Sequence, residues 1–447
     1  MAVIELGLVK PDGDEPSPEP GRRPMRPSDR RRLLVTVVAI CCVLTVTGST
    51  RPDPRGLTRL WTAPFSQEAD TFRLAGDTIY ELSHDGERRL SARDARTGAV
   101  RWSTTDIEPS TWLTTVQDGV MLLPTGTVAV SRAEPDGTVS TREISRDTVA
   151  IDTATGRQLW RRPGEVTATF GDHALMAEWN ENGDRAHRLR MIRVRDGGTV
   201  WSRSRGDLDF WTTDTTAGTR PERLVTINPQ GLVEVLMPAD GTVVTTGRIP
   251  WTGQPRDDTY SSINVQGRRL FLDQTVRSTS SVTVYDTDTL RQLWRVELAT
   301  TGGSYPCGPV VCLTDADGTD GLDRETGALR WRLPQAGNGY PLVEGRLLIE
   351  EHSEGRRSLV DAMTGRQLAD LGSAMPVWDA AGRGTPYLIA QTTEPAGRTS
   401  LSSFDPATGE VLLRGTIMPV LDYGCQHEGG LLACATQDNQ LAVMDVG

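Results

Sequence analysis

The stretch AIDTATGRQLW, residues 150–160, decides the fold because its frame returns along the whole chain. The frame is an Asp, a Thr-Gly pair and a Trp that lies eight positions after the Asp. The Asp-to-Trp spacing recurs in ARDARTGAVRW (92–102), VYDTDTLRQLW (284–294) and GLDRETGALRW (321–331). Decayed copies are VRDGGTVW (194–201), MPADGTVV (237–244), LVDAMTGRQLA (359–369) and SFDPATGEVLL (403–413). Such self-similarity predicts one supersecondary unit that is built several times.

Each copy has the pattern of a strand, a turn and a second strand. In the copy at 150–160, Asp152 can accept hydrogen bonds from the turn backbone, and Gly156 supplies a positive φ where a side chain would clash. Two more candidate strands precede each turn, as in TFRLAG and TIYELS before Asp94. Four short antiparallel strands per unit of about 40 residues predict the blade of a β-propeller.

The Trp at the end of the fourth strand is expected to bury its ring against the neighbouring blade, with its N–H bonded to an acceptor there. The repeat residues are therefore interpreted as structural. They are Asp94, Gly98, Trp102, Asp152, Gly156, Trp160, Asp286, Trp294, Asp323, Gly327 and Trp331, with Trp61 as an isolated Trp near the start.

The two ends of the repeat region complement each other. QLAVMDVG (440–447) predicts a third strand that reaches Asp445, and GLTRLWTAP (56–64) predicts a fourth strand that carries Trp61. Together they make one blade, and this closure removes the last exposed sheet edge. Eight turns and the split blade give a literal count of nine. Because MPADGTVV is weak, the sequence predicts an all-β propeller of about eight four-stranded blades, within a range of seven to nine.

The repeated Asp-x-x-Thr-Gly-x-x-x-Trp resembles the tryptophan-docking repeat of the quinoprotein (PQQ-like) β-propellers over residues 56–447. That superfamily contains PQQ-dependent dehydrogenases and non-catalytic relatives such as the propeller subunit of the outer-membrane protein assembly machinery. The dehydrogenases hold the quinone under two adjacent, disulfide-linked Cys residues, beside a Ca²⁺ ion. The adjacent pair here, Cys41 and Cys42, falls in a hydrophobic segment before the repeats. The resemblance therefore implies the non-catalytic branch and no cofactor.

That hydrophobic segment, LLVTVVAICCVLTVTGST at 33–50, is uncharged and long enough as a helix to be near the lower limit for spanning a bilayer. The Arg-rich stretch before it predicts a cytoplasmic N-terminus and a propeller outside the cell membrane. We therefore predict a disordered cytoplasmic tail (1–32), a transmembrane helix (33–50) and a short linker (51–55). A cleaved signal peptide and a buried helix of the globular part are the alternatives.

The remaining Cys residues form two close pairs. Cys425 and Cys434 flank a Gly-Gly turn signal that pairs them across a hairpin, and Cys307 and Cys312 lie across a short reversal in CGPVVC. Two disulfides at these positions would persist only in an oxidising compartment, which agrees with export. Four buried free thiols are the alternative.

One acidic segment resembles a calcium loop. In DADGTDGLD (315–323), carboxylates at Asp315, Asp317 and Asp320 alternate with small residues, although the later bidentate Glu is missing. The segment is read as a plain acidic turn, with a surface Ca²⁺ site as the alternative. The five His residues are expected in different blades, without a shared metal or catalytic centre.

Five Trp residues stand outside the repeat positions and either pack in the core or line a binding funnel. They are Trp112, Trp179, Trp211, Trp251 and Trp378. The net charge of −11 argues against a nucleic-acid partner. The sequence lacks a nucleophile elbow, a Gly-rich phosphate loop and HExxH.

These observations predict a membrane-anchored extracytoplasmic propeller that acts as a non-catalytic binding or scaffold module for a protein or another cell-envelope component. The first alternative is a dehydrogenase that depends on PQQ and Ca²⁺. The second is an extracytoplasmic sensor that signals through its cytoplasmic tail.

Overall fold

The computed structural model describes residues 57–447, except 67–69, 85–87, 108–109, 111–112, 114, 134–138, 205, 215–220, 254–258, 299, 343–344, 352–354 and 381–386. The predicted cytoplasmic tail, transmembrane helix and linker, and with them Cys41 and Cys42, lie outside the described residues. Within the described part of the chain, no helix is both long and apolar enough to cross a membrane.

The described strands form nine four-stranded antiparallel sheets, each the blade of a propeller. This number lies within the predicted range of seven to nine, and the weak MPADGTVV unit belongs to a complete blade. Strand β1 (Thr58–Pro64) joins the last blade. Blade 1 contains β2 (Asp70–Ala75), β3 (Thr78–Ser83), β4 (Arg89–Asp94) and β5 (Val100–Thr104); blade 2 contains β6 (Thr115–Gln117), β7 (Val120–Ala133), β8 (Val139–Asp152) and β9 (Gln158–Pro163).

The next blades follow in chain order. Blade 3 contains β10 (Glu165–Phe170), β11 (His173–Trp179), β12 (Ala186–Arg193) and β13 (Thr199–Arg203); blade 4 contains β14 (Phe210–Thr213), β15 (Leu224–Ile227), β16 (Leu232–Leu236) and β17 (Val243–Arg248). Blade 5 contains β18 (Thr259–Gln266), β19 (Arg269–Val276), β20 (Thr279–Asp286) and β21 (Gln292–Leu298); blade 6 contains β22 (Gly303–Cys307), β23 (Val310–Asp315), β24 (Gly318–Asp323) and β25 (Leu329–Pro334).

The last blades complete the ring. Blade 7 contains β26 (Ala336–Pro341), β27 (Arg346–Glu351), β28 (Arg357–Asp361) and β29 (Gln367–Gly372); blade 8 contains β30 (Met375–Val377), β31 (Tyr387–Gln391), β32 (Thr399–Asp405) and β33 (Glu410–Ile417). Blade 9 contains β34 (Val420–Glu428), β35 (Leu431–Thr436), β36 (Gln440–Asp445) and β1. At four junctions the first strands of neighbouring blades contact each other (β14 and β18, β22 and β26, β30 and β34, β34 and β2), which places these strands at the centre of the ring.

Ring closure occurs as the sequence predicts. Strand β1 pairs antiparallel with β36, with Thr58 opposite Asp445 and Trp61 opposite Val443. In addition, β34 contacts both β30 and β2, so that blade 9 packs against blades 8 and 1. These contacts hold the split blade against the neighbour on each side, which protects the end blades from fraying.

The repeat residues build the turn between the third and fourth strands. The carboxylate Oδ1 of Asp152 accepts hydrogen bonds from Thr155 N at 2.8 Å and from Thr155 Oγ1 at 2.7 Å. Gly156 has a φ of +72°, which a residue with a side chain adopts only with strain. The Thr three positions later donates the same hydroxyl bond to Asp94, Asp286, Asp323 and Asp361.

The docking Trp of each blade lies against the turn of the next blade. Trp160 Nε1 donates to Val194 O at 3.0 Å, and its ring covers Gly197, where an added Cβ would lie 2.9 Å from the ring. Six blade junctions use this Trp-on-Gly contact. Their pairs are Trp61 and Gly98, Trp102 and Gly156, Trp160 and Gly197, Trp201 and Gly241, Trp294 and Gly327, and Trp331 and Gly365. The turn Gly therefore has a second role as a flat surface for the preceding blade.

The other three junctions lack the Trp. Between blades 4 and 5, Thr245 takes its position, and Leu290 replaces the facing Gly and packs near Gly247. Between blades 7 and 8, Ala369 faces Gly409. Between blades 8 and 9, Leu413 is 56% exposed. Strands β36 and β1 come from opposite ends of the propeller, so no repeat turn joins them and Leu413 has no such turn to cover.

Both predicted disulfides are present. Cys425 pairs directly with Cys434 across the β34–β35 hairpin, and Cys307 is bonded to Cys312 across the β22–β23 turn. Three of the four residues are completely buried, so these crosslinks lie inside their blades.

Candidate functional site

The repeat turns occupy one face of the ring, and a pocket lined by several aromatic residues lies on the other. In each blade the third strand ends at the repeat turn, so the first strand, which runs parallel to it, begins at the opposite face. The pocket residues lie where first strands begin, as for Glu165 in β10 and Phe210 in β14, and where β11 ends at Trp179. The geometry of the turns therefore keeps Asp152 and Trp160 away from this pocket.

The pocket has a volume of about 460 Å³ and spans blades 2 to 5. This size falls in the range of about 300 to 1,000 Å³ that small-molecule sites commonly have. Five of its eleven lining residues are aromatic, and three are charged. The lining residues on which the argument depends are Arg142, Glu165, Trp179, Asp209, Trp211, Trp251 and Tyr260.

A polar group holds each of the three indoles in place. Trp179 Nε1 donates to Glu165 Oε2 at 2.7 Å, and Trp211 Nε1 donates to Thr167 Oγ1 at 3.3 Å. The rings of Trp179 and Trp211 are 5.3 Å apart. Because their N–H groups and their neighbours fix these rings, the pocket is largely pre-formed.

The third indole, that of Trp251, is also held by a hydrogen bond. Trp251 Nε1 donates to Asp209 Oδ2 at 2.7 Å, and the ring of Phe210 lies 6.3 Å from that of Trp251. Asp209 immediately precedes β14, and its side chain is 2% exposed. Tyr260, at 47% exposure, lies at the rim.

An extended hairpin of blade 2 forms one side of the pocket. Strands β7 and β8 are 14 residues long, whereas the sequence predicts only short strands. The extension leans over blade 3, where Arg146 Nη1 donates to Asn180 O at 2.6 Å and Ile144 packs near Gly183. This hairpin places the Arg142 guanidinium carbon 4.1 Å from the centre of the Trp179 ring.

The carboxylates of the pocket lie beside guanidinium groups. Arg142 stands near Glu165, and Arg185 Nε lies 3.6 Å from Asp209 Oδ1, while Arg185 Nη1 lies 3.8 Å from Asp207 Oδ2. Desolvation lowers the pKa of Arg142, and Glu165 offsets part of this effect; the guanidinium stays charged because Arg is not deprotonated in proteins. Each carboxylate of the pocket lining thus faces a guanidinium group.

The candidate calcium loop spans the end of β23, the turn to β24 and β24 itself, so that Asp320 lies within a strand. Arg332 forms two hydrogen bonds with Asp320: Nε donates to Oδ1 at 2.7 Å, and Nη2 donates to Oδ2 at 2.6 Å. The Asp320 carboxylate is therefore already paired. Asp315 Oδ1 accepts from Asp317 N at 2.9 Å, as in an ordinary acidic turn. Among the residues that the structure describes, no three His, Cys, Asp or Glu side chains gather as metal ligands.

The His residues do not converge. His173 and His187 share blade 3, contrary to the expectation of different blades, but they lie at opposite ends of the β11–β12 hairpin. His84 lies in blade 1 and His427 in blade 9, while His352 lies outside the described residues.

The isolated Trp residues divide into two groups. Trp179, Trp211 and Trp251 meet in the pocket, as the binding-funnel alternative requires. Trp378 packs on Tyr340 with ring centres 5.9 Å apart, and Trp112 lies outside the described residues. One signal in the sequence pointed to the pocket: three of the five isolated Trp residues fall within consecutive blades 3 to 5.

Away from the pocket, a buried carboxylate joins blades 5 and 6. Asp273 Oδ1 accepts from Ser304 Oγ at 2.7 Å, and Asp273 Oδ2 accepts from Ser304 N at 3.2 Å. Burial raises the pKa of Asp273 from its ordinary value of 3.8 to about 6, although the bonds from Ser304 lower it in part. Sequence reasoning did not single out this residue.

This pKa predicts a pH dependence of stability. The folded protein holds the Asp273 proton up to about pH 6, whereas the unfolded chain releases it near 3.8, so the contribution is present below 3.8 and is lost as the pH rises through 6. Raising the pH from about 4 to about 7.5 should remove up to about 3 kcal/mol of unfolding free energy through this group. Urea unfolding of Asp273→Asn should lack this component, and parallel pH profiles for both proteins would contradict the prediction.

The fold and repeat together define a class of protein, the PQQ-like β-propellers that dock their blades through Trp. The chain belongs to the outer membrane protein assembly factor BamB family, whose model matches residues 86–264 and 278–417. No curated protein matches the sequence.

Solved structures show similar propellers at low identity. BamB from Moraxella catarrhalis is 14% identical, covers 87% of this chain and 99% of its own, and has a TM-score of 0.44. A eukaryotic initiation factor is 10% identical, covers 78% of this chain and 88% of its own, and has a TM-score of 0.50. A europium-containing methanol dehydrogenase is 14% identical, covers 86% of this chain and 84% of its own, and has a TM-score of 0.37. At such identities a likeness shows the fold alone.

Proposed function

We propose that this protein is a non-catalytic binding or scaffold module of the cell envelope, tethered by residues 33–50 with its propeller outside the membrane. The observation that carries the proposal is the aromatic pocket, in which Trp179, Trp211 and Trp251 are fixed by hydrogen bonds and present a pre-formed site. The pocket has the composition of a binding site, in which apolar walls surround a small number of placed polar groups.

Three further observations support the envelope location. The hydrophobic segment 33–50 follows an Arg-rich stretch, which favours an exported propeller. Two disulfides lie within the propeller, and such bonds persist in oxidising compartments. The family is described as an outer membrane protein assembly factor, and its members are thereby associated with the envelope.

Site-specific photocrosslinking in intact cells tests this proposal. A photoreactive amino acid replaces Tyr260 at the pocket rim, or Tyr423, which is 64% exposed in blade 9 and serves as the matched control. Position 260 is expected to yield a covalent adduct in the membrane fraction that position 423 does not yield.

Two results would contradict the proposal. The first is the same adduct pattern at positions 260 and 423, because the pocket would then have no partner of its own. The second is oxidation of an alcohol or sugar by the purified protein with PQQ, Ca²⁺ and an artificial electron acceptor, which would favour the dehydrogenase alternative.

A further inference from the structure

The pocket offers ring surfaces more than indole donors. The N–H groups of Trp179, Trp211 and Trp251 are already bonded to Glu165, Thr167 and Asp209. A ligand therefore contacts the ring faces and edges. These surfaces pack well against C–H groups and offer no N–H donor to a hydrogen-bond acceptor. Rings held in this way lose little conformational freedom when a ligand binds.

The charges of the pocket disfavour charged ligands. A cation would approach Glu165 and Asp209, which already face Arg142 and Arg185, and an anion would approach guanidinium groups that lie beside these carboxylates. A fully apolar ligand fits no better, because it would take water from these charged groups without replacing its hydrogen bonds. The ligand that fits is neutral, carries many hydrogen-bonding groups and has apolar C–H faces.

We infer that the pocket binds a saccharide, with sugar rings packed on the indoles and hydroxyl groups bonded to Glu165 and Arg142. Hydroxyl groups both donate and accept, so they match carboxylate acceptors and guanidinium donors within one site. The cavity of about 460 Å³ holds a short oligosaccharide better than a single small solute. This inference rests on the proposed function and names its ligand class.

The tests use the purified full chain and defined probes. Calorimetry and Trp fluorescence are recorded with cellotetraose, maltotetraose and chitotetraose, with choline and N-acetyltryptophanamide as the charged and aromatic comparisons. At least one neutral tetrasaccharide is expected to bind and to change the Trp fluorescence. Binding that strengthens with chain length would identify a polymer as the source, and equal binding of the monosaccharide would identify a free sugar; both support a saccharide site.

Matched variants locate the binding. Trp211→Ala and the rim variant Tyr260→Ala should each weaken saccharide binding by about tenfold or more, as aromatic anchors commonly do. Trp378→Ala should leave it unchanged, because Trp378 is 38% exposed and packs on Tyr340 outside the pocket. Tyr260→Ala keeps the test valid if Trp211→Ala does not fold.

Three results would overturn the inference. They are the absence of binding by every tetrasaccharide, tighter binding of choline or N-acetyltryptophanamide, and saccharide binding that neither pocket variant weakens. If position 260 still crosslinks to a protein while no saccharide binds, the proposed function stands and the ligand class is wrong. If saccharides bind but position 260 gives no adduct of its own, the ligand class stands and the proposed envelope partner is wrong.

Discussion

Trp160→Ala is expected to lower the free energy of unfolding by about 3 to 5 kcal/mol, the usual cost of removing a large buried aromatic side chain. Trp160 is 7% exposed and lies in a cluster that joins blades 2 and 3. Its loss opens a cavity over Gly197 and leaves Val194 O without its indole donor. The cavity and the lost hydrogen bond both destabilise the folded protein.

Leu413→Ala is the matched control, because Leu413 lies eight residues after the Asp of its repeat, as Trp160 does, and is 56% exposed. Its effect should stay within about 0.5 kcal/mol, as for most surface substitutions. Urea unfolding measures the free energy of unfolding of each variant. Because each blade contacts mainly its neighbours, amide hydrogen exchange should show the loss of protection for Trp160→Ala in blades 2 and 3. Equal destabilisation by the two variants would show that the docking Trp is not what holds the junctions.

Much of the fold is predictable from the repeat because its contacts are local. The carboxylate of Asp152 accepts bonds from residues two and three positions away, and the backbone bonds that close its turn join residues four and five positions apart, so a short pattern specifies it. Ring closure follows from two half-blades that complete each other, and the Cys425–Cys434 pair follows from a Gly-Gly hairpin.

The partner of each docking Trp is harder to predict because it lies in the next blade. The repeat shows a conserved frame of Asp, Gly and Trp, yet Trp160 contacts Gly197 rather than Gly156 of its own turn. The sequence carries only a partial signal of this pairing. Leu290 stands in place of the Gly that would follow the missing Trp at Thr245, whereas Gly409 is kept where Ala369 stands in place of the Trp.

The pocket is less predictable than the fold. Its residues come from four blades, and Arg142 reaches it only through the length of the β7–β8 hairpin. In the sequence, residues 134–138 and 254–258 follow no repeat pattern. Asp273 was missed for a related reason, since its burial and its bonds to Ser304 arise where two blades meet.

Gly156→Ala tests whether the turn Gly also serves as the docking surface of the preceding blade. Gly156 has a φ of +72°, and an added Cβ would lie 2.6 Å from Cε3 of Trp102. The backbone conformation costs about 1 to 2 kcal/mol, and displacement of a packed ring adds about 1 to 3 kcal/mol. We therefore expect a loss of about 2 to 5 kcal/mol in the free energy of unfolding.

Gly171→Ala separates the two costs. Gly171 has a φ of +56°, but nothing lies within 4 Å of the added Cβ, so only the backbone cost of about 1 to 2 kcal/mol applies. The difference between the two variants in urea unfolding measures the Trp102 contact. In a protein that already carries Trp102→Ala, adding Gly156→Ala should cost only the backbone term, because the ring that would meet the new methyl group is gone. Equal losses for Gly156→Ala and Gly171→Ala would mean that the repeat keeps its Gly for backbone conformation alone, and that Trp and Gly are not one unit of blade docking.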